Sequence, residues 1–182
     1  ESVTLSKSVS VASNVEFAAT ASDSIFCEGD EVKIAIEKIN GGLLNENIKF
    51  TLNDVEFSGD TAKVEANTSV YALRATDLTG GCPDAVDTVR IKVDQPVEFT
   101  LSQTATTICN VGSDSVKITI NADSSANYSY VWSTGDKDAR TITVYPNVDS
   151  TYTVIGASQY GKCPSLEDSA SITVNEAVKV TI

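Results

Sequence analysis

The sequence predicts an all-β fold, and three observations carry that prediction. Apolar and polar residues alternate in short runs: Val32-Lys33-Ile34-Ala35-Ile36, Val89-Arg90-Ile91-Lys92-Val93 and Val116-Lys117-Ile118-Thr119-Ile120. Period-two alternation puts one face of a strand in a core and the other in water. Turn signals separate the runs at Glu28-Gly29-Asp30, Gly41-Gly42, Ser58-Gly59-Asp60, Gly80-Gly81, Gly112-Ser113 and Gly161-Lys162. Methionine is absent while Ser, Thr, Val and Ala dominate, a composition that suits strands and polar turns better than helices.

The strands belong to an internal repeat. Val15-Glu16-Phe17 recurs 82 residues later as Val97-Glu98-Phe99, and Cys27 recurs as Cys109 at the same spacing. Ile48-Lys49-Phe50 aligns with Tyr130-Val131-Trp132, again at 82. Tyr71 aligns with Tyr152, Cys82-Pro83 with Cys163-Pro164, and Val89–Val93 with 170–174, all at 81. A fixed period of this length is the mark of a domain array. The reading is residues 15–95 as repeat 1 and 96–176 as repeat 2. Residues 1–14 close a preceding repeat through Val9-Ser10-Val11, and 177–182 open a following one through Val178-Lys179-Val180. Glu1 then reads as a cut inside a longer protein.

About seven strands per repeat, with turns every 8–12 residues, is the pattern of a Greek-key β-sandwich. In strand letters, Val15 opens A, Val32 opens B, Phe50 lies on C, Tyr71 on F and Val89 on G. The join Asp94-Gln95-Pro96 is short and stiffened by proline, which predicts a preferred angle between repeats.

Charge and composition exclude several functions. Asp and Glu outnumber Lys and Arg by 25 to 13, a net charge of −12, which repels nucleic acid and anionic lipid. No apolar run approaches the roughly 20 residues of a membrane helix, so no membrane insertion is expected. With no histidine, a Ser-His-Asp or Cys-His triad cannot form. Neither Asp54/Glu56 nor Asp136/Asp138 belongs to a Ca²⁺-binding loop pattern, and no facing pair for glycoside hydrolysis is evident, so these read as solvated loop charge. No enzyme activity, cofactor or metal is expected.

Trp132, the only tryptophan, stands in Tyr130-Val131-Trp132-Ser133-Thr134-Gly135-Asp136. Its aromatic counterpart Phe50 favours a core position over a sugar-stacking platform, so Phe50, Trp132, Tyr71 and Tyr152 are assigned to the cores. Tyr145 and Tyr160 read as single surface aromatics.

The Tyr-x-Trp-x-x-Gly-Asp segment, Ile108-Cys109 ahead of strand B, and the Gly-x-Cys ending at Cys163 resemble the immunoglobulin-like and PKD-like repeats of Bacteroidota surface proteins. These occur in long secreted chains, including gliding-motility adhesins exported by the type IX system. The resemblance covers both repeats, the second more clearly, since the first lacks the Trp and has Asn53 for the Gly. It implies an extracellular, cell-surface protein. Six triplets also resemble the Bacteroidota O-glycosylation consensus, with acceptors at Ser24, Thr61, Thr88, Ser115, Ser150 and Ser169, against roughly one or two expected by chance. The same Asp-Ser and Asp-Thr steps also mark turns into β-branched strands. Asn67-Thr68-Ser69 and Asn127-Tyr128-Ser129 match the N-glycosylation pattern but read as fortuitous.

Four cysteines fit an oxidising compartment. Near-equal spacing favours Cys27–Cys82 and Cys109–Cys163 within repeats. Sandwich geometry opposes it, because the A–B turn holding Cys27 and the F–G loop holding Cys82 sit at opposite ends, roughly 30 Å apart. A disulfide spans only about 4.4–6.8 Å between Cα atoms. The preferred pairing is therefore Cys27–Cys163 between repeats, leaving Cys82 and Cys109 for neighbours beyond 1–182.

The expected role is a rigid spacer or stalk in surface adhesion or gliding motility. Its partners are neighbouring repeats of the same chain and, beyond them, surface glycans or other cell-surface proteins. The alternative is a carbohydrate-binding accessory module attached to a secreted enzyme.

Overall fold

The alternating runs fold as strands. In the computed structural model, residues 16–38, 47–79, 82–110 and 114–176 are described. The sequence-predicted turns at Gly41-Gly42, Gly80-Gly81 and Gly112-Ser113, the start of strand A at Val15, and the flanking stubs at 1–14 and 177–182 lie outside those residues. The chain divides into two compact units, Glu1–Val93 and Asp94–Ile182.

Unit 1 runs β1 (Phe17–Ala21), β2 (Ile25–Cys27), β3 (Glu31–Lys38), β4 (Ile48–Leu52), β5 (Val55–Phe57), β6 (Thr61–Glu65), β7 (Val70–Asp77), β8 (Ala85–Arg90) and β9 (Lys92–Asp94), the unit boundary falling inside β9. One sheet has the order β1-β3-β6, the other β5-β4-β7-β8, and β2 lies beside β9. The alternation of β3 explains its place: Val32, Ile34 and Ile36 are buried, while Glu31 and Lys33 face water beside Lys63. Phe50, Leu73 and Val89 meet them from the second sheet, and the core closes between the two. Asn53 and Asp54 turn the β4–β5 hairpin with φ of 48° and 67°. Two positive φ values are what a two-residue hairpin requires, and Asn and Asp tolerate them better than most residues.

Unit 2 repeats the plan with β10 (Thr100–Gln103), β11 (Thr107–Asn110), β12 (Val116–Asn121), β13 (Ser129–Trp132), β14 (Thr141–Val144), β15 (Ser150–Ala157) and β16 (Leu166–Glu176). Its sheets are β10-β12-β14 and β11-β16-β15-β13. Here β10 pairs antiparallel with β12, whereas β11 pairs parallel with β16. The first strand of the sandwich thus switches sheets midway. Gly156 gives the core its room, because a Cβ there would stand 2.7 Å from the Phe99 ring.

Strand register corrects the sequence alignment of the two repeats. Phe50 lies opposite Ala75, and Leu52 opposite Leu73. Tyr130 lies opposite Gly156, and Trp132 opposite Val154. The structural counterpart of Trp132 is therefore Leu52, and that of Phe50 is Tyr130. Edge-to-face pairs agree: Phe17 on Phe50 and Phe99 on Tyr130 both have centroids 5.7 Å apart. Loop lengths differ between the copies while strand pairings match, so a single sequence offset slides the third strand by two residues, a full period of its alternation.

Candidate functional site

Each predicted core aromatic can be placed. Phe50, Tyr71 and Trp132 are buried, and Tyr152 is half-buried, packed against the core of unit 2 rather than within it. Tyr71 donates its hydroxyl to the Glu65 carbonyl at 2.7 Å, the tyrosine corner of a Greek-key sandwich. Trp132 is 2% exposed, and its Nε1 donates to the Ala139 carbonyl at 2.8 Å. An indole so enclosed offers no face to a sugar. Tyr130 is also buried; burial pushes its phenol up, offset in part by Arg140.

The cysteines occupy two kinds of place. Cys27 ends strand β2, not the turn expected after it, because its segment pairs alongside β9. Cys109 takes the same position on β11. Cys82 and Cys163 lie in the β7–β8 and β15–β16 loops. Cys27 and Cys163 are buried, and each is half of a disulfide. Cys109 is an exposed free thiol. The alternative pair Cys109–Cys163 is therefore not the one present. Cys82, the other partner considered for Cys27, is half-buried in the β7–β8 loop.

The β15–β16 loop is organised by a residue that sequence reasoning passed over. Asp94 is 1% exposed. Its carboxylate accepts the Ser158 hydroxyl at 2.7 Å and the backbone N–H groups of Lys162 at 2.9 Å, Tyr160 at 3.3 Å and Cys163 at 3.4 Å. Burial pushes the Asp94 carboxyl up, but these four hydrogen bonds together outweigh it and hold the group below the ordinary value. In the β7–β8 loop an internal residue does related work. Asp77 accepts the Thr79 N–H and hydroxyl and the Cys82 N–H. Asp77 and Ser158 stand at equivalent positions, each five residues before its loop cysteine. In the sequence Asp94 shows only as an acid ending the alternating run Val89–Val93, two residues before Pro96.

These strand orders can be compared with known proteins. No protein-family profile matches the chain, and no curated protein matches it. Solved structures do. A chain of the mouse coronavirus receptor-binding domain complexed with its murine receptor is 16% identical, over 87% of this chain and 100% of that one, with a TM-score of 0.50. The N-terminal eight Ig domains of Down Syndrome Cell Adhesion Molecule isoform 1.30.30 are 14% identical, over 90% of this chain and 24% of that one, with a TM-score of 0.53. The fold is that of immunoglobulin-like β-sandwiches in tandem.

On this immunoglobulin-like frame the candidate glycosylation acceptors are spread widely. Ser24, Thr61, Thr88, Ser115 and Ser169 are exposed, and Ser150 is half-buried. Their aspartates have structural work. Asp23, Asp87 and Asp168 each accept the backbone N–H of the next residue, and Asp87 also accepts the Ala19 N–H of β1 at 2.8 Å. Thr88 and Ser169 lie within β8 and β16, so the turn reading of these triplets does not cover them. The paired loop acids are likewise engaged: Glu56 with Lys49, Asp136 with Thr134, and Asp138 with the Tyr130 N–H. Among the described residues no His, Cys, Asp and Glu cluster is arranged to hold a metal ion, and no helix is long and apolar enough to cross a membrane. Tyr145 and Tyr160 are exposed.

Proposed function

We propose that this chain is part of an extracellular, non-catalytic array of immunoglobulin-like repeats that acts as a spacer in adhesion at a bacterial cell surface. The observation that carries the reading is the unequal oxidation of equivalent cysteines. Cys27 is bonded while Cys109, its counterpart in the next copy, is a free thiol. A bond from each repeat to the next produces that asymmetry, so the proposed pairing is Cys27–Cys163. A covalent link between successive repeats suits a stalk under load, and a stable disulfide suits an oxidising, extracellular setting.

The resemblance to Bacteroidota repeats extends the reading to a type IX-secreted, gliding-type surface protein, O-glycosylated at the exposed Asp-Ser and Asp-Thr steps. Its partners are neighbouring repeats and, through them, surface glycans or proteins. The accessory-module alternative asks for an exposed aromatic platform, and the enclosed Trp132 gives it no support.

Non-reducing peptide mapping tests the proposal. The Cys27 peptide is expected joined to the Cys163 peptide, and recovery joined to Cys82 overturns the inter-repeat link. On a glycan array the chain is expected to give no signal that Tyr145→Ala or Tyr160→Ala abolishes. Such a signal would replace the spacer reading with the carbohydrate-binding one.

A further inference from the structure

The two copies of the β2/β9 edge are in the same register but in different states. The Lys92 N–H donates to the Ser24 carbonyl at 2.8 Å, and the Thr173 N–H to the Thr106 carbonyl at 2.9 Å. In unit 2 that pairing sets Cys109 opposite Asn175. Tyr71 lies opposite Val89, and Tyr152 opposite Ala170. Asp94 follows Val89 by five residues and Asn175 follows Ala170 by five, so Asn175 stands where Asp94 stands. At the first copy Cys27 and Asp94 are buried, the cysteine oxidised and the carboxylate filled by hydrogen-bond donors of an inter-strand loop. At the second, Cys109 and Asn175 are exposed.

We infer that the Cys109–Asn175 edge of unit 2 is a seat for the F–G loop of a further repeat of the same chain, whose loop cysteine closes a disulfide on Cys109. The inference rests on the inter-repeat Cys27–Cys163 link proposed above. It adds a selectivity that the cysteines alone do not provide. The Asp94 carboxylate is acceptor-only, so it takes the Ser158 hydroxyl and repels a loop that opens with an acid. The Asn175 amide both accepts and donates. It fits a loop beginning with Ser, as at Ser158, and equally one beginning with Asp, as at Asp77.

The bond forms by thiol–disulfide exchange. The loop cysteine first exchanges with a small oxidised disulfide, such as oxidised glutathione, releasing one small thiol. The Cys109 thiolate, having lost its proton, attacks that mixed disulfide at the loop sulfur. The S–S bond to Cys109 forms, and the second small thiolate leaves and takes up a proton. Two protein thiols are oxidised, and one small disulfide is reduced to two thiols.

Two extended chains test the inference, each retaining residues 1–175 and continuing in register. One continues with a copy of residues 95–176, bringing the Ser158/Cys163 loop; the other with 13–94, bringing the Asp77/Cys82 loop. In glutathione redox buffer, both are expected to yield the Cys109 peptide joined to the appended loop peptide. Asn175→Asp is expected to lower that yield about tenfold for the Asp77 loop and to leave the Ser158 loop within about twofold, the scale of a like-charge contact. Blue-shifted Trp132 emission identifies the folded chains on which the yields are read, and the second extension serves if the first does not fold. Cys109 still open to iodoacetamide in both folded chains, with Cys27 bonded to Cys163, overturns the seat while sparing the proposed function. Loss of the Cys27–Cys163 link in those chains overturns the proposed function itself. Equal effects of Asn175→Asp on the two loops remove the selectivity.

Discussion

Ser158 donates its hydroxyl to the Asp94 carboxylate across 2.7 Å, and both residues are buried. With the three backbone donors, this bond holds the Asp94 carboxyl below its ordinary value of 3.8 against the opposing effect of burial. A lowered folded pKa means the ionised group stabilises the fold. That contribution is complete above pH 3.8 and is lost as pH falls through the lowered folded value. Asp94→Ala is expected to cost unit 2 about 1.5–3 kcal/mol at neutral pH, the range for hydrogen bonds to a charged group. It should also flatten the loss of stability below pH 3.8. Trp132 lies in unit 2, so denaturant titrations followed by its emission read the effect directly. An unchanged acid profile in Asp94→Ala would show that another carboxylate governs it.

Tyr130 carries a buried hydroxyl with no hydrogen-bond partner, at the position where unit 1 places Phe50. An orphaned buried hydroxyl carries its desolvation penalty without compensation. Tyr130→Phe is therefore expected to stabilise unit 2 by about 1 kcal/mol, measured by the same titration. Destabilisation would mean that an ordered water satisfies the hydroxyl.

Trp132 fills the core of unit 2 where unit 1 makes do with Leu52. Trp132→Ala is expected to cost about 3–5 kcal/mol, the range for removing a large buried aromatic. Far-ultraviolet circular dichroism during urea unfolding checks it, since the variant has no tryptophan. In the unmodified chain Trp132 should emit in the blue and resist acrylamide quenching. Free quenching would return the indole to the surface.

The Tyr71 hydroxyl anchors the start of β7 to the Glu65 carbonyl. Tyr71→Phe is expected to destabilise unit 1 by about 1 kcal/mol and leave unit 2 untouched. Hydrogen exchange should show faster β6 and β7 amides with unchanged β15 amides. Equal loosening of both units would refute a local role.

The sequence alone determined the strand class and the repeat, because alternation at Val32–Ile36 or Val116–Ile120 is written in neighbouring residues. It also placed Trp132 in a core, though by comparison with Phe50, a counterpart that strand register replaces with Leu52. It could not determine which residue of repeat 1 that tryptophan matches. Phe50 and Leu52 lie on the same face two residues apart, and only cross-strand pairing with Ala75 and Leu73 separates them. Asp94 was illegible for a related reason: its donors lie 64 to 69 residues along the chain, and no local pattern reports such a distance. The unequal fates of Cys27 and Cys109 were legible, since strand geometry alone preferred Cys27–Cys163 and left Cys109 over, and the structure has Cys27 and Cys163 oxidised and Cys109 a free thiol.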